Sequence, residues 1–175
     1  MSDKSTEPIE SKPVTIVGGC LCAKLRYSAT LPADHDFVAN AMTCQCTQCR
    51  KQSGALFVAY HHVPLLRWTS GDTSTLSEFG ATPSAKRGFC SACGSWLYFR
   101  YKGQEGISLC VGAIDHDVLV GKTHLSVGTA GEGEQALGAA LVNGLGGHEF
   151  CENEIPGVTD DIPLLNRGKR NQGSF

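Results

Sequence analysis

Three cysteines lie within six residues in the segment TCQCTQCRKQSG, residues 43–54. Thiolates bind zinc, and a structural zinc site has four ligands, so Cys44, Cys46 and Cys49 are one ligand short of a closed site. Cys44 and Cys46 share a face of an extended chain, and a helical turn after them can bring Cys49 beneath them. Zinc with three protein ligands and one open position is typical of a catalytic site, because that position can bind water, a thiolate or a carbonyl oxygen. These three residues are called the cysteine trio.

Four further cysteines form two pairs that could together close a second site. Cys20 and Cys22 point to one face at the start of a predicted strand. Cys90 and Cys93 form a Cys-x-x-Cys motif followed by Gly94, which is the zinc-knuckle pattern, because glycine permits a turn with positive φ. Together the pairs predict a structural four-thiolate zinc site that closes a loop of about seventy residues. The alternative is that the cysteines of either pair are small hydrophobic side chains in the core and bind no metal.

Other side chains could complete the trio as a closed structural site. His61, His62 and His124 are the candidates for a fourth ligand. Cys110 lies in an apolar strand pattern and is predicted to belong to the core, whereas Cys151 is predicted to be structural or a loop thiol. The sequence leaves both the open and the closed form of the trio site available.

Two cations, Arg50 and Lys51, directly follow the last cysteine of the trio. They could offset the negative charge of the thiolates and bind an acidic substrate. Each could equally be a solvated charge on the surface.

The composition favours one metal-binding domain. The chain has 175 residues, of which 41% are hydrophobic, and a formal charge of −2. This charge favours neither nucleic acid nor an anionic membrane as a partner. The first thirteen residues are polar and contain no signal peptide, and no later stretch is long and apolar enough to span a membrane, so we expect a cytoplasmic protein. Nine cysteines cannot all pair, and metal binding explains them better than disulfides do.

Short alternating segments separated by Gly, Pro, Ser and Asp predict a mainly β, antiparallel domain. Residues 1–13 are predicted to be a disordered tail, 14–162 a single domain and 163–175 a flexible tail. A short helix is predicted from Thr47 to Gln52, ended by Gly54, and another from Glu134 to Asn143, with Gly144 as its C-cap. The predicted strands are Val14–Val17, Ala23–Thr30, Leu56–His62, Leu65–Trp68, Thr75–Phe79, Lys86–Phe89, Trp96–Tyr101 and Ile107–Val111.

Three motifs in this chain resemble a known family in order and spacing. They are GGCLCAKLRYS at residues 18–28, CQCTQCRKQSG at 44–54 and GFCSACGSWLYFR at 88–100. The family is that of the glutathione-dependent formaldehyde-activating enzymes, or GFA domain. The resemblance covers residues 14 to about 125 and thins over 126–162. It implies sheets packed as a β-tent and two zinc ions: a structural ion on Cys20, Cys22, Cys90 and Cys93, and a labile ion on Cys44, Cys46 and Cys49.

The resemblance also implies a carbon–sulfur lyase or synthase. The name-giving reaction adds the thiol of glutathione to formaldehyde and gives S-hydroxymethylglutathione. A thiol near zinc is deprotonated, and a carbonyl held by the same ion is polarised for attack. The partners implied are therefore a small thiol and a carbonyl or imine, within a biosynthetic pathway or outside one. The alternative is a non-catalytic zinc module for partner binding or thiol sensing. The sequence is also compatible with a homodimer.

This chain departs from the family pattern in two places. Gln45 stands where many members have a histidine, which removes one candidate proton carrier. The segment Thr123–Val127 looks like the family's late histidine-bearing strand, but the usual aromatic residue after it is missing. The glycine-rich segment Thr129–Gly147 follows, and we expect it to be mobile and to lie near the trio as a lid or substrate wall.

Overall fold

The computed structural model describes residues 13–121 and 136–173. No helix in these ranges is long and apolar enough to cross a membrane. Short 3-10 turns occupy Val111–Ala113 and Cys151–Asn153. The helices are α1 (Thr47–Ser53), α2 (His116–Val120) and α3 (Gly138–Leu141). The strands are β1 (Val14–Gly19), β2 (Arg26–Leu31), β3 (Ala41–Cys44), β4 (Val58–Val63), β5 (Leu66–Trp68), β6 (Leu76–Thr82), β7 (Ala85–Cys90), β8 (Trp96–Tyr101), β9 (Ile107–Cys110), β10 (Gly147–Glu149) and β11 (Lys169–Arg170).

The strands form two sheets. The small sheet has the order β1-β2-β5, and the large sheet has the order β11-β10-β3-β4-β9-β8-β7-β6. Neighbouring strands are antiparallel, except that β10 runs parallel to both β3 and β11. The predicted fold class is confirmed: the domain is mainly β, with two sheets and few short helices.

The large sheet packs on both of its faces. Leu97 and Leu109 belong to the main core, together with Ile16 and Tyr27 from the small sheet. Tyr60 belongs instead to a second cluster that contains the cysteine trio. Successive side chains of a strand point to opposite faces, so the large sheet separates the main core from the surroundings of the trio.

The predicted strands are all present, with shifts of a few residues at their ends. The sequence pattern missed β3, β10 and β11 because strands of two to four residues are too short to display a period. It also missed α2, which ends at Gly121 in the left-handed region with φ 82°. Within the described part of the helix predicted over Glu134–Asn143, α3 is present, and its C-cap is Val142 and not Gly144.

The folded domain extends beyond Pro163, where the sequence predicted the start of a flexible tail. Leu165 is completely buried, and β11 pairs with β10. Arg170 donates from Nη1 to the Leu165 carbonyl oxygen at 2.6 Å. The prediction was wrong here because it used the polar composition of the segment, whereas one buried leucine and one strand pairing keep it on the domain.

We expect Leu165→Ala to lower the free energy of unfolding by about 2–4 kcal/mol, because it leaves a cavity at a fully buried position. Leu145→Ala is the matched control, since Leu145 is 54% exposed, and it should change stability by no more than about 0.5 kcal/mol. Denaturant unfolding of the metal-loaded protein measures both. Equal, small effects would mean that the C-terminal segment does not stabilise the domain.

Candidate metal centres and active-site cavity

The four-cysteine cluster joins the two sheets. Cys20 follows β1 of the small sheet, and Cys90 is the last residue of β7 in the large sheet. The four sulfurs of Cys20, Cys22, Cys90 and Cys93 all lie within 4.8 Å of one another. Tetrahedral zinc with Zn–S bonds of about 2.3 Å requires sulfurs roughly 3.8 Å apart. The Sγ atoms of Cys20 and Cys22 are 3.5 Å apart and those of Cys22 and Cys90 are 3.8 Å apart, so the cluster fits such an ion.

Hydrogen bonds favour the thiolate form at the knuckle. Burial alone would raise the pKa of Cys90, but bonds from the Thr75 hydroxyl and from nearby backbone N–H groups lower it. Bonds from the Ser95 hydroxyl and backbone N–H lower the pKa of Cys93 to about 5. Gly94 has the positive φ that the motif predicts, 76°. These contacts prepare the sulfurs of Cys90 and Cys93 to bind a cation.

The cysteine trio lies where β3 passes into α1. Cys44 ends β3, and Cys46 is the N-cap of α1, where its sulfur accepts a hydrogen bond from the Cys49 backbone N–H at 3.3 Å. All three sulfurs are buried and lie within 4.8 Å of one another. No histidine, aspartate, glutamate or further cysteine of the described residues joins this group. Three soft ligands without a fourth suit a metal ion with an open coordination position.

The three thiols of the trio cannot ionise independently. Hydrogen bonds from Cys44 and Cys49 lower the pKa of Cys46, whereas hydrogen bonding to Cys46 raises the pKa of Cys44. One thiolate is thus stabilised by its neighbours' protons, and a second negative charge beside it is opposed. A bound cation removes this opposition, because it offsets the charge of all three sulfurs.

The trio faces a cavity of about 400 Å³, within the range of roughly 300–1,000 Å³ that small-molecule sites occupy. Phe150 lines it and has a positive φ of 61°, an uncommon conformation for a bulky residue. The lining also includes Gln48, Tyr60, Arg87, Phe99 and Glu149. A larger cavity of about 640 Å³ lies beside Cys20 and Cys93, but no trio cysteine lines it. The smaller cavity is therefore the candidate active site.

Among the described hydrogen bonds, the hydroxyl group of Tyr60 is the one that contacts a sulfur of the trio. Its oxygen lies 3.4 Å from the Cys49 sulfur. Burial, followed by the charge of Cys49, raises the pKa of Tyr60. The phenol therefore keeps its proton and can donate it to a thiolate or to an oxygen atom in the cavity.

Comparison with known proteins agrees with this arrangement. The sequence pattern of the glutathione-dependent formaldehyde-activating enzymes matches residues 15–127, more than half of the chain. The chain belongs to this family. A solved structure of a Rhodobacter sphaeroides protein is also similar, with 25% sequence identity, a TM-score of 0.47, and coverage of 58% of this chain and 89% of that one. At this TM-score the likeness carries no argument about the site.

The described histidines that were candidates for a fourth ligand lie away from the trio of this GFA domain. His61 is buried, its Nε2 is 2.8 Å from Nε2 of His35, and its Nδ1 is 3.1 Å from the Leu141 carbonyl oxygen. His62 lies beside a different cavity. His124 lies outside the described residues.

The two cysteines outside the clusters are both buried. Cys110 packs beside the trio in the second hydrophobic cluster, as the prediction of a core role requires. The Cys151 sulfur donates to the His148 carbonyl oxygen at 3.4 Å, in keeping with the predicted structural role. Neither belongs to a metal-binding group of the described residues.

Arg50 and Lys51, which the sequence predicted to bind substrate, do not line the cavity of the GFA domain. Arg50 donates to the carbonyl oxygens of Leu56 and Asn153, so it connects α1 to the segment after β10. Lys51 is exposed. The physical reason is helical geometry: residues one or two positions beyond Cys49 are rotated by about 100° or 200° from its face.

Gln45 likewise lies outside the cavity lining, on the opposite side of the chain from Cys44 and Cys46. It is fully buried, and its Oε1 accepts a hydrogen bond from Arg50 Nη2 at 3.2 Å. The amide at this position therefore takes part in packing behind the trio.

The predicted lid segment falls partly outside the described residues, which resume at 136. Within its described part, Leu137 and Leu141 pack into the main core rather than beside the trio. Glu149 and Phe150 line the cavity instead, and they follow the predicted segment. The residues that pairing of β10 with β3 brings to the trio are those after Gly147. Residues 129–135 of the predicted segment lie outside the described ranges.

Sequence reasoning missed Arg87, which is only 4% exposed and lines the cavity. It lies on β7 with Ala85, two positions earlier, on the same face of the strand. The position of Arg87 two residues after the apolar Ala85 was the one sign in the sequence that its side chain faces the protein interior. An arginine in an alternating strand reads as solvent-facing unless the pairing of the sheet is known.

The two clusters of this GFA domain should respond differently to loss of a ligand. We expect Cys93→Ala to give unfolded or insoluble protein, because the four-cysteine cluster connects sheets from distant parts of the chain and a metal ion held there would contribute folding free energy. Cys46→Ala should keep a cooperative unfolding transition and lose one metal ion, because the trio spans only six residues. Elemental analysis and thermal unfolding measure both effects.

Cys151→Ala is the control, since it removes a buried thiol that belongs to neither cluster, and it should keep the full metal content. A soluble, cooperatively melting Cys93→Ala protein would contradict the structural role of the four-cysteine cluster. Unfolding of Cys46→Ala like that of Cys93→Ala would make the trio structural as well.

Proposed function

We propose that this protein is a zinc-dependent enzyme of the carbon–sulfur lyase or synthase type. It joins a small thiol, glutathione first, to formaldehyde or another small carbonyl or imine. The observation that carries the proposal is the trio of buried sulfurs, mutually within 4.8 Å, that faces a cavity and lacks a fourth ligand among the described residues. The family's printed name, glutathione-dependent formaldehyde-activating enzyme, supports the substrates.

The reaction forms one bond between sulfur and carbon. The sulfur lone pair attacks the carbonyl carbon, the carbon–oxygen π bond breaks, and the proton that leaves sulfur ends on the new hydroxyl oxygen. No oxidant or reductant is needed. Zinc at the trio would supply a positive charge that favours a thiolate or polarises a carbonyl. The cavity would hold the two reactants together, which raises their effective concentration.

Tyr60 supplies a hydrogen bond where negative charge develops on oxygen. Its hydroxyl lies 3.4 Å from the Cys49 sulfur, and its raised pKa keeps it protonated. A neutral donor fixed beside the reacting atoms stabilises the developing alkoxide without reorganisation. Phe99 packs against the Tyr60 ring with centroids 6.3 Å apart and so holds the ring in place.

Binding of a thiol at the trio can be tested by spectroscopy. We expect two zinc ions per chain in protein purified without chelator, and cobalt at the trio should show thiolate charge-transfer bands that depend on the number of bound sulfurs. Titration with glutathione should change these bands in the wild type but not in Cys46→Ala. S-methylglutathione, which has no free thiol, is the control and should leave the spectrum unchanged.

An unchanged wild-type spectrum at millimolar glutathione would overturn the proposal. The protein would then be assigned to a non-catalytic zinc module for partner binding. A spectral change without faster product formation would indicate a thiol sensor. Carbon-13 NMR measures S-hydroxymethyl formation from labelled formaldehyde. A rate above the uncatalysed one identifies an enzyme, and an unchanged rate identifies a thiol sensor.

We expect Tyr60→Phe to lower kcat by about 100-fold, as loss of one donor to a developing oxyanion does. The affinity for glutathione, read from the cobalt spectrum, should change little, because the ring and the trio stay in place. Tyr27→Phe is the matched control, since the Tyr27 hydroxyl bonds to the Ala113 carbonyl oxygen in the main core. Equal rates for the two variants would exclude Tyr60 from the reaction.

A further inference from the structure

The cavity beside the trio contains a buried arginine whose donors are largely unused. Arg87 is 4% exposed, and its Nη2 donates to Gln48 Oε1 at 2.7 Å. Its Nε and Nη1 have no hydrogen-bond partner in the described part of the chain. A guanidinium carries five N–H donors on three nitrogens, so most of its capacity is free.

No carboxylate offsets the charge of Arg87 within the described residues. The ion pairs recorded there are Arg26 with Asp115, Arg100 with Glu78, and Arg170 with Glu154. Arg87 instead lies over the face of Phe99, with its Cζ atom 5.2 Å from the ring centroid. A buried cation without an anion is unfavourable, and a ring face compensates only in part. An anion that entered the cavity would gain the missing interaction.

The position of Arg87 connects this charge to the thiol site. Gln48, which accepts its hydrogen bond, directly precedes Cys49 in α1. Phe99, which lies under its guanidinium, also packs on Tyr60, whose hydroxyl is 3.4 Å from the Cys49 sulfur. Arg87 and all of these residues line the same cavity. A molecule bound there can contact the trio and Arg87 at once.

One acidic side chain, Glu149, also appears in the described lining of the cavity. Its Oε1 accepts a hydrogen bond from Asn171 Nδ2 at 2.7 Å. This contact directs part of the carboxylate towards β11 and β10 rather than towards Arg87. Arg87 is therefore the charged group of the described lining that still has unused hydrogen-bond donors.

We propose that Arg87 binds a carboxylate of the thiol substrate, so that the enzyme selects anionic thiols over neutral ones. This inference rests on the proposed function, in which the thiol binds at the trio. Arginine matches a carboxylate by its planar set of donors, and burial strengthens each charge-assisted hydrogen bond. The thiol is then held at two points, by its sulfur and by its carboxylate, which orients it in the cavity.

Pairs of thiols with and without free carboxylates test the proposal. One pair is glutathione and its diethyl ester, and the other is N-acetylcysteine and N-acetylcysteine amide. Each is titrated into cobalt-substituted protein, and the charge-transfer bands give Kd. We expect the carboxylate form of at least one pair to bind the wild type at least tenfold more tightly than its ester or amide.

Arg87→Gln should reduce this preference to about one and leave the Kd of the neutral thiol within twofold of the wild-type value. Arg87→Lys should keep part of the preference, because it retains the charge but not the planar donors. Arg100→Gln is the matched control, since Arg100 is paired with Glu78 and does not line this cavity, and it should retain the full preference. If Arg87→Gln does not fold, the comparison of the thiol pairs on the wild type and on Arg87→Lys still tests the proposal.

The outcomes separate the two proposals. Equal binding of both members in each pair overturns the role of Arg87 and leaves the proposed function intact. If Arg87→Gln weakens charged and neutral thiols alike, the arginine only offsets the charge of the trio, and the inference again fails. If no thiol changes the wild-type spectrum, the proposed function fails and the carboxylate site for a thiol substrate fails with it.

Discussion

Two clusters of cysteine thiols impose the main electrostatic constraint on this fold. Four cysteine sulfurs lie within 4.8 Å at the junction of the sheets, and three more lie equally close at the start of α1. Thiolates at this distance repel one another, and hydrogen bonds stabilise only part of the charge, as the opposite pKa shifts of Cys44 and Cys46 illustrate. A shared cation relieves the repulsion at both places. The first cluster joins the small sheet to β7 beside the hydrophobic core that the two sheets share, so a metal ion held there would link the sheets.

The large sheet separates the residues of the main core from the residues of the candidate active site. One of its faces packs against the small sheet through residues such as Tyr98 and Leu109, and this core does not involve the trio. The other face presents Tyr60, Arg87 and Phe99 to the cavity. Side chains alternate along each strand, so a single strand can serve both faces. The site is thus built mainly on paired strands, which fix side-chain positions more narrowly than loops do.

Charge gives the cavity its selectivity in the proposed mechanism. The trio offers sulfur ligation, Tyr60 offers a neutral donor, and Arg87 offers a buried cation with unused N–H groups. These three features match the parts of a thiol that also carries a carboxylate and meets a carbonyl. Arg50 and Lys51 are adjacent to Cys49 in sequence, yet one ties α1 to the segment after β10 and the other is exposed. Proximity in sequence was therefore a poor guide to the cation that serves the site.

The sequence by itself determined the features that depend on local geometry. The grouping of the cysteines into four and three follows from Cys-x-Cys and Cys-x-x-Cys spacings, and eight strands follow from alternation over at least four residues. Tertiary structure decided the rest, because it depends on which strands pair. Parallel pairing of β10 with β3 brings Glu149 and Phe150 to the trio, and pairing of β7 with β8 places Arg87 over Phe99. These contacts join residues that are between 12 and about 105 positions apart, and no local period encodes them.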